Sequence, residues 1–483
     1  MEDVKYTDEQ DDIFTKTMDG WSFVVEAGAG TGKTTTLARA AELVNDGHRR
    51  ILYVAYNREI VSDSRGAFPP EVTCSTAHGL AYRSIGHRYA TTLNRGGIQG
   101  WQIAKTLRIG PWRDSKHKLS GPKLASLSRR TVKAWARSTD LEILPSHVPI
   151  PESITEYEAR LSLQDAVVAH AKRIWGLVQD PNQAALRFDH DWYLKMYSMS
   201  GPGGAPPNLG VDVVLFDECQ DADPVIRSIV EAQACQRVAV GDSQQAIYGW
   251  RGAEDAIARF RERGAPVLKL SRSWRFGGTI ADEANVWLDR LDGDIRLTGN
   301  PGVESSIGPV GDKGHTILCR TNAGVIAAAI AAVDAGKRVS VVGCDREVLA
   351  LLLACEKLQS GREVDHPELI GFADWDQLKS FVESPDCDSV TLKTLVKLSG
   401  SHSLSRLRAV LTACVAEREA EVVISTSHKA KGRQWPYVKV GADFAPREAL
   451  LSPEGGASRD QLRLAYVTVT RARRGLDLGI LAP

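Results

Sequence analysis

Ala27-Gly28-Ala29-Gly30-Thr31-Gly32-Lys33-Thr34 is the stretch that decides the fold. It follows the apolar run Phe23-Val24-Val25, which reads as a short buried strand. It precedes Thr35 to Val44, whose pattern predicts a helix. A strand, a glycine-rich turn and Gly-Lys-Thr at the head of a helix form the context that a phosphate-binding loop requires. Glycines let the backbone curl so that its N–H groups converge on phosphate oxygens. The helix N-terminus adds the positive end of its dipole. Lys33 can reach the β- and γ-phosphates, and the Thr34 hydroxyl can bind Mg²⁺. The generic pattern begins with Gly where this chain has Ala27, the one defined position that departs from it.

Upstream, Thr7 and Gln10 have the spacing of a helix-capping box. Downstream, Ile51-Leu52-Tyr53-Val54-Ala55-Tyr56 predicts a second strand, with Asn57-Arg58 at its carboxyl end, where open α/β sheets carry their ligand loops. Thr76-Ala77-His78 follows another short apolar stretch, and a lone His is more often structural than functional. Val211 to Phe216 predicts a buried strand running into Asp217-Glu218-Cys219-Gln220-Asp221. An acid there can hold the metal that Thr34 also binds, and its neighbour can activate a water. Val238 to Asp242 predicts the next strand, and Gln245 leaves it in position to sense a γ-phosphate.

The chain has 483 residues, 43% hydrophobic and 25% charged, with a net charge of zero, so it is a globular protein of two to four domains. The eight cysteines have no C-x-x-C spacing, which leaves zinc and iron–sulfur ligation unsupported and predicts reduced thiols. A polar, acidic N-terminus predicts no signal peptide, and no apolar run has the length of a membrane span. The expected location is therefore a cytosol-like compartment, not secretion.

Charge is local rather than global. Residues 86–140 hold twelve Lys and Arg against only Asp114 and Asp140, with Trp101, Trp112 and Trp135 interleaved. Basic groups for phosphates and aromatic faces for bases suit a nucleic-acid surface, and a solvated face over core tryptophans suits the composition equally. Residues 141–200 look helical, with Leu161, Ala166, Val167, Ala169, Ile174 and Leu177 near helical spacing. Ser200 to Pro207 is a Gly/Pro linker. A second α/β unit follows, without a phosphate loop, with strands expected near Val267–Leu270, Thr316–Cys319, Val339–Val342, Val422–Thr426 and Val438–Val440. It supplies Arg275 and Arg471.

In this order the pieces resemble the superfamily 1 UvrD/Rep-like helicases, from Tyr6 to Leu476 apart from the two insertions. Ala27 to Thr34, Asp217-Glu218-x-Gln220-Asp221 and Gly241-Asp242-x-x-Gln245-x-Ile247-Tyr248-x-Trp250-Arg251-Gly252-Ala253 look like that family's first three motifs. Ile317-Leu318-x-Arg320-x-Asn322, Thr426-x-His428-x-Ala430-Lys431-Gly432 and Leu464-Ala465-Tyr466-Val467-x-x-Thr470-Arg471-Ala472 look like later ones. The wording around Ala55 to Arg58 and Thr76 to Tyr82 is most similar to the F-box DNA helicase branch, and no F-box region is expected ahead of the core.

The resemblance implies an α/β chain of two RecA-like parallel-sheet P-loop domains, each with a mostly helical insertion. It implies domain 1A in 1–85 and 205–265, insertion 1B in 86–204, domain 2A in 266–345 and 421–483, and insertion 2B in 346–420. It implies ATP and Mg²⁺, with Ala27, Gly28, Ala29, Gly30, Thr31, Gly32, Lys33, Thr34 and Thr35 around the phosphates, and with Thr34 and Asp217 on the metal. Glu218 would deprotonate water. Gln10 would read the adenine edge, overriding its capping role. Gln245, Arg275 and Arg471 would meet the γ-phosphate, the arginines coming from the opposite domain, with Trp274 near the base. Tyr56, Asn57, Arg58, His78, Tyr248, Trp250, Arg251 and His428 would contact DNA.

Two positions depart from the family. Arg433-Gln434-Trp435 stands where Leu-Glu-Phe is usual, so Gln434 replaces the carboxylate expected on the ribose, and a carboxylate accepts more strongly. Ser273-Trp274-Arg275 stands where Asn-Tyr-Arg is common, a change that keeps an aromatic ring for stacking. The expected activity is an ATP-driven, 3′-to-5′ translocase and helicase acting on single-stranded DNA and single-strand/duplex junctions. A translocase that strips bound proteins with little unwinding, and a nucleotide-gated binding module, are the alternatives.

Overall fold

The computed structural model describes residues 6–93, 100–247, 256–311, 314–343, 347–383, 389–401, 403–452 and 456–483. Two six-stranded sheets, parallel in every pairing, organise them. The first is built from β1 (Phe23–Ala27), β2 (Ile51–Ala55), β3 (Thr73–Thr76), β6 (Val213–Phe216), β7 (Gln236–Gly241) and β8 (Val267–Leu270), in the order β3-β2-β6-β7-β1-β8. Between them in sequence, β4 (Trp112–Arg113) and β5 (Lys118–Leu119) form a small antiparallel ribbon. The second sheet has the order β11-β12-β10-β13-β14-β9, from β9 (Ser306–Ile307), β10 (His315–Cys319), β11 (Val339–Val341), β12 (Val422–Thr426), β13 (Trp435–Val440) and β14 (Ala472–Asp477).

Every residue of β1, β2, β6 and β12 is buried. Helices cover both faces of a parallel sheet, so its central strands read as continuous apolar runs rather than alternating ones. That is why Phe23–Val25 and Val213–Phe216 were recognisable as core strands. Side chains above and below the first sheet fall into separate clusters, one around Val25, Tyr53 and Leu215, the other around Val24, Val54 and Phe216.

One strand lies elsewhere than the pattern predicts. Val267–Leu270, expected in the second unit, pairs with β1 at the edge of the first sheet, Val24 opposite Val267 and Ala27 opposite Leu270. Apolar content marked it as a strand but carried no information about its partner, which is decided by long-range pairing. The chain therefore crosses to the second unit only after Leu270.

The basic segment carries helices Gly100–Leu107 and Gly121–Ala136, and helices Tyr157–Val178 and His190–Ser198 follow it. Trp135 is 1% and Trp112 7% exposed, so both are core. Trp101, at 55%, faces solvent. Trp135 packs edge-on against Trp175 with ring centroids 4.9 Å apart. The buried stripe of Tyr157–Val178 is Ala159, Leu163, Val167, Ala171, Ile174 and Val178. Of the six positions expected from spacing, only Val167 and Ile174 belong to it. Leu161 and Ala169 are exposed. Among the described residues no helix is long and apolar enough to cross a membrane.

Candidate active site

The loop after β1 takes its shape from glycines. Gly30 and Gly32 sit at φ 76° and 80°, in the left-handed region. A Cβ on Gly30 would also fall 2.6 Å from the Arg275 Cβ and 2.7 Å from the Ser273 Oγ. The Trp274 N–H donates to the Gly30 carbonyl at 2.8 Å, so the strap leaving β8 lies directly on the loop. Helix Lys33–Val44 follows, with no side chain capping its N-terminus and no acid in its first turn, which leaves its first N–H groups for an anion. Lys33 Nζ rests 3.4 Å from the carbonyls of both Ala27 and Gly28.

Gln10 keeps the role that the resemblance set aside. Its Oε1 accepts from the Thr7 N–H at 3.1 Å, and Thr7 and Gln10 form a complete capping box. Its Nε2 donates to Thr36 Oγ1 at 3.0 Å. A Gln at the third helical position reaches back to the cap by simple geometry, and the same side chain braces the helix that opens the phosphate loop.

Facing the loop, β6 delivers Asp217 and Glu218. The Thr34 hydroxyl and the Tyr53 phenol both donate to Asp217 Oδ2 at 2.8 Å. Burial, then the charge of Glu218, pushes the Asp217 carboxyl up, and the Thr34 and Tyr53 bonds and Lys33 oppose the rise. Burial also works against the charge of Glu218, but Lys33, Lys431, the Gln220 amide at 2.6 Å and Arg471 outweigh it and hold that carboxyl below its usual value. A hydroxyl and a carboxylate converging at 2.8 Å are hard oxygen donors that suit Mg²⁺, which takes one or two protein ligands and completes its shell with phosphate and water.

The far side carries the cations. Arg471 Nη2 donates to Gln245 Oε1 at 3.1 Å, and its Nε donates to the Val467 carbonyl at 2.9 Å. Burial, and then Arg275 beside it, pulls the Arg471 guanidinium down to about 9. Arg275 Nη1 donates to the Thr470 carbonyl at 2.9 Å, while its buried Nε has no partner among the described residues. An unpartnered buried guanidinium nitrogen beside a phosphate loop suits an anionic ligand. Arg471 lies just after helix Arg459–Val469, and Arg275 stands five residues beyond β8, just past the crossing from the first sheet. Lys431 bridges the units, with Nζ 2.5 Å from Asp221 Oδ1 and bonded to the Gln245 carbonyl.

These groups line a cavity of about 430 Å³ that includes Gly30, Lys33, Thr34, Thr35, Glu218, Gln245, Arg275, Lys431 and Arg471. Trp274 is exposed beside it, under the Arg272 guanidinium at 4.7 Å. Gln434 is exposed and is not part of the lining.

A second cavity, about 300 Å³, opens at the carboxyl ends of β2 and β3, lined by Tyr56, Asn57, Arg58, Thr76, His78, His190 and Tyr193. Tyr56 and Asn57 line both cavities. Asn57 caps the helix Arg58–Ser64 and Thr76 caps Ala77–Ser84, which fixes the two walls. His78 Nε2 lies 3.1 Å from Asp191 Oδ1, and Arg137 Nε donates to Asp191 Oδ2 at 2.8 Å. His190 and Tyr193 were not anticipated. They belong to an insertion helix more than a hundred residues beyond Tyr56, and no local spacing marks them. Lys431 and Tyr53 were likewise missed as site residues. His428 is half-buried on the short helix Ser427–Ala430 and lines neither cavity. Tyr248, Trp250 and Arg251 lie outside the described residues.

The sequence model of the AAA domain matches residues 10–251. The chain is 29% identical over 494 residues to F-box DNA helicase protein 1 of Schizosaccharomyces pombe (strain 972 / ATCC 24843), an alignment covering 94% of this chain and 55% of the relative. It is 28% identical over 512 residues to F-box DNA helicase 1 of Gallus gallus, covering 99% and 49%. It is 32% identical over 98 residues to DNA helicase II of Haemophilus influenzae (strain ATCC 51907 / DSM 11121 / KW20 / Rd), covering 18% and 14%. The chain thus spans about half the length of the two relatives it matches along most of its own length.

Proposed function

The chain belongs to the AAA-domain family, in its superfamily 1 UvrD/Rep-like form, and from that premise we propose that it hydrolyses ATP to move along single-stranded DNA, 3′ to 5′, and to separate duplex strands ahead of it. The observation that carries the proposal is the wall shared by the two cavities. Tyr56 and Asn57 face both, so a shift on the nucleotide side is a shift on the strand side.

The triphosphate would lie on the loop, with Lys33 leaving the Ala27 and Gly28 carbonyls for the β- and γ-phosphates. Mg²⁺, held by Thr34 and Asp217, would neutralise phosphate charge there. Glu218, kept ionised by the surrounding cations, would take the proton of the attacking water. Arg471, Arg275 and Gln245 would meet the γ-phosphate. In phosphoryl transfer the protein mostly positions groups and neutralises charge, and these side chains do both. The adenine would sit toward Gln10 and Trp274.

The Lys431–Asp221 and Arg471–Gln245 contacts join the two units across the cleft, so ATP would favour closure and hydrolysis would release it. The strand would pass Tyr56, His78, His190 and Tyr193, and Tyr248, Trp250, Arg251 and His428 are its further proposed contacts by the resemblance. Base stacking of about 1–3 kcal/mol per base tolerates any sequence. The proposed motor units are 1–85 with 205–270 and 271–345 with 421–483. The insertions are 86–204 and 346–420, and the proposed place of work is the nucleoid or nucleus.

Steady-state ATP hydrolysis with and without single-stranded DNA tests the proposal, with Glu218→Gln as control. The expected result is strong stimulation by DNA that the variant abolishes, followed by unwinding of a 3′-tailed duplex. Retained DNA binding with little hydrolysis under either condition would instead support a nucleotide-gated binding module.

A further inference from the structure

Tyr466 lies on helix Arg459–Val469 of the second unit, and its side chain is fully buried. Its hydroxyl is inserted between two elements of the first unit. It accepts from the Ala29 N–H of the phosphate loop at 3.2 Å and donates to Asp242 Oδ2, at the end of β7, at 3.1 Å. Asp242 is also fully buried, and its Oδ2 takes a second donor, Gln245 Nε2, at 2.6 Å. Gln245 Oε1 in turn accepts from Arg471. On the other side, the Asp242 N–H donates to Gln220 Oε1 at 3.0 Å, and Gln220 Nε2 donates to Glu218. An unbroken chain of hydrogen bonds therefore joins the loop amide, the Tyr466 hydroxyl, Asp242, Gln245 and Arg471, with a branch to Glu218.

The segment Asp242–Ala246 is held by the second unit at several points. Lys431 bonds the Gln245 carbonyl, Arg471 the Gln245 side chain, and Arg463 the Ala246 carbonyl at 3.4 Å. Of these side chains only Tyr466 also bonds the phosphate loop among the described residues. Burial, and then the neighbouring carboxylate of Asp242, pushes the phenol well above its usual pKa, so it stays a donor at any working pH.

We propose that Tyr466 is a positioning residue for ATP hydrolysis: its hydroxyl ties the phosphate loop to Asp242 across the cleft and thereby sets Gln245 and Arg471 in place when the two units close. This rests on the motor function proposed above. When the cleft opens, Asp242 loses one of its two side-chain donors, and Gln245 is released with it. Buried polar networks act as units, so removing one member is felt at the others.

The test is Tyr466→Phe, which keeps the ring and removes only the hydroxyl, compared with Gln245→Ala and the double variant in DNA-stimulated ATP hydrolysis. Expected is a fall in kcat of about tenfold or more, roughly one lost buried hydrogen bond by free energy. The KM for ATP should change less than about threefold, and the melting temperature should stay near that of the wild type. In the Gln245→Ala background, removing the hydroxyl should cost little more, because both substitutions break the same relay. Additive losses, an unchanged kcat, or a loss explained by a lowered melting temperature would each overturn the inference while leaving the motor function intact. A wild-type chain that hydrolyses no ATP with or without DNA would overturn both.

Discussion

Glu218 sits at φ 50°, one of three residues other than glycine with positive φ among the described residues. Such a conformation costs about 1–3 kcal/mol and persists only where the surroundings impose it. Here the Gln220 amide and the cations opposite aim the carboxylate into the cavity. Arg471 is its counterpart. Its guanidinium serves the Val467 and Arg433 carbonyls, Gln245 and the Thr470 hydroxyl at once, which a fork can do and a single ammonium cannot. Arg471→Lys is therefore expected to lower the DNA-stimulated kcat by about 10³-fold, in the range known for transition-state arginines, with the charge kept. A loss of less than tenfold in the same turnover assay would remove Arg471 from the γ-phosphate. Lys33, Thr34, Asp217, Glu218, Gln245 and Arg471 were legible in the sequence because each stands in a short motif with local spacing. Tyr53, His190 and Tyr193 were not, because only the folded chain brings their partners to them, and Lys431 stood in a quoted motif without a role assigned to it.

At the scale of elements, the strands were easier to read than their neighbours. The continuous apolar runs of β1, β2, β6 and β12 identify themselves, but the attachment of Val267–Leu270 to β1 is a property of the sheet. The insertion shows the same limit. Tyr157–Val178 was legible as a helix, while its buried face was out of phase, because Ala and Leu occur on both faces and spacing alone does not rank them. The tryptophans separate by burial. Trp135 is packed on Trp175, with Lys195 Nζ 4.9 Å from its ring centroid, and donates its indole N–H to the Asp140 carbonyl. Trp135→Ala is expected to destabilise the chain by about 3–5 kcal/mol, as large core truncations do, whereas Trp101→Ala should stay within about 0.5 kcal/mol. Denaturant melts of the two variants check this, and equal losses would contradict the division into core and surface.

At the scale of the whole molecule, the segments proposed as the two insertions touch. Lys123 Nζ donates to the Phe372 carbonyl at 2.7 Å, Ser153 Oγ to the Gly371 carbonyl at 3.1 Å, and Arg130 to the Asp365 carbonyl at 3.1 Å. Glu368 is set in this contact. Burial, and then Glu152, raises its carboxyl to about 7. An acid whose pKa rises on contact binds its proton more tightly there, so the contact is firmest below the ordinary carboxylate range and weakens as pH climbs toward about 7, with no further loss above it. Fluorescence transfer between dyes on the two insertions should report a looser contact at pH 8 than at pH 5, and Glu368→Gln should flatten that difference. An equal pH response in both proteins would contradict it. In the proposed motor the two cavities are coupled through the wall that Tyr56 and Asn57 share. Titrating single-stranded DNA into wild type and Tyr56→Ala at saturating ATP, with turnover as the readout, tests it most directly. Coupling predicts DNA-stimulated turnover in the wild type and, in the variant, a rise that needs about tenfold more DNA or never reaches the same maximum, the loss of one stacking contact. Turnover that ignores DNA in the wild type, or stimulation unchanged in Tyr56→Ala, would contradict it.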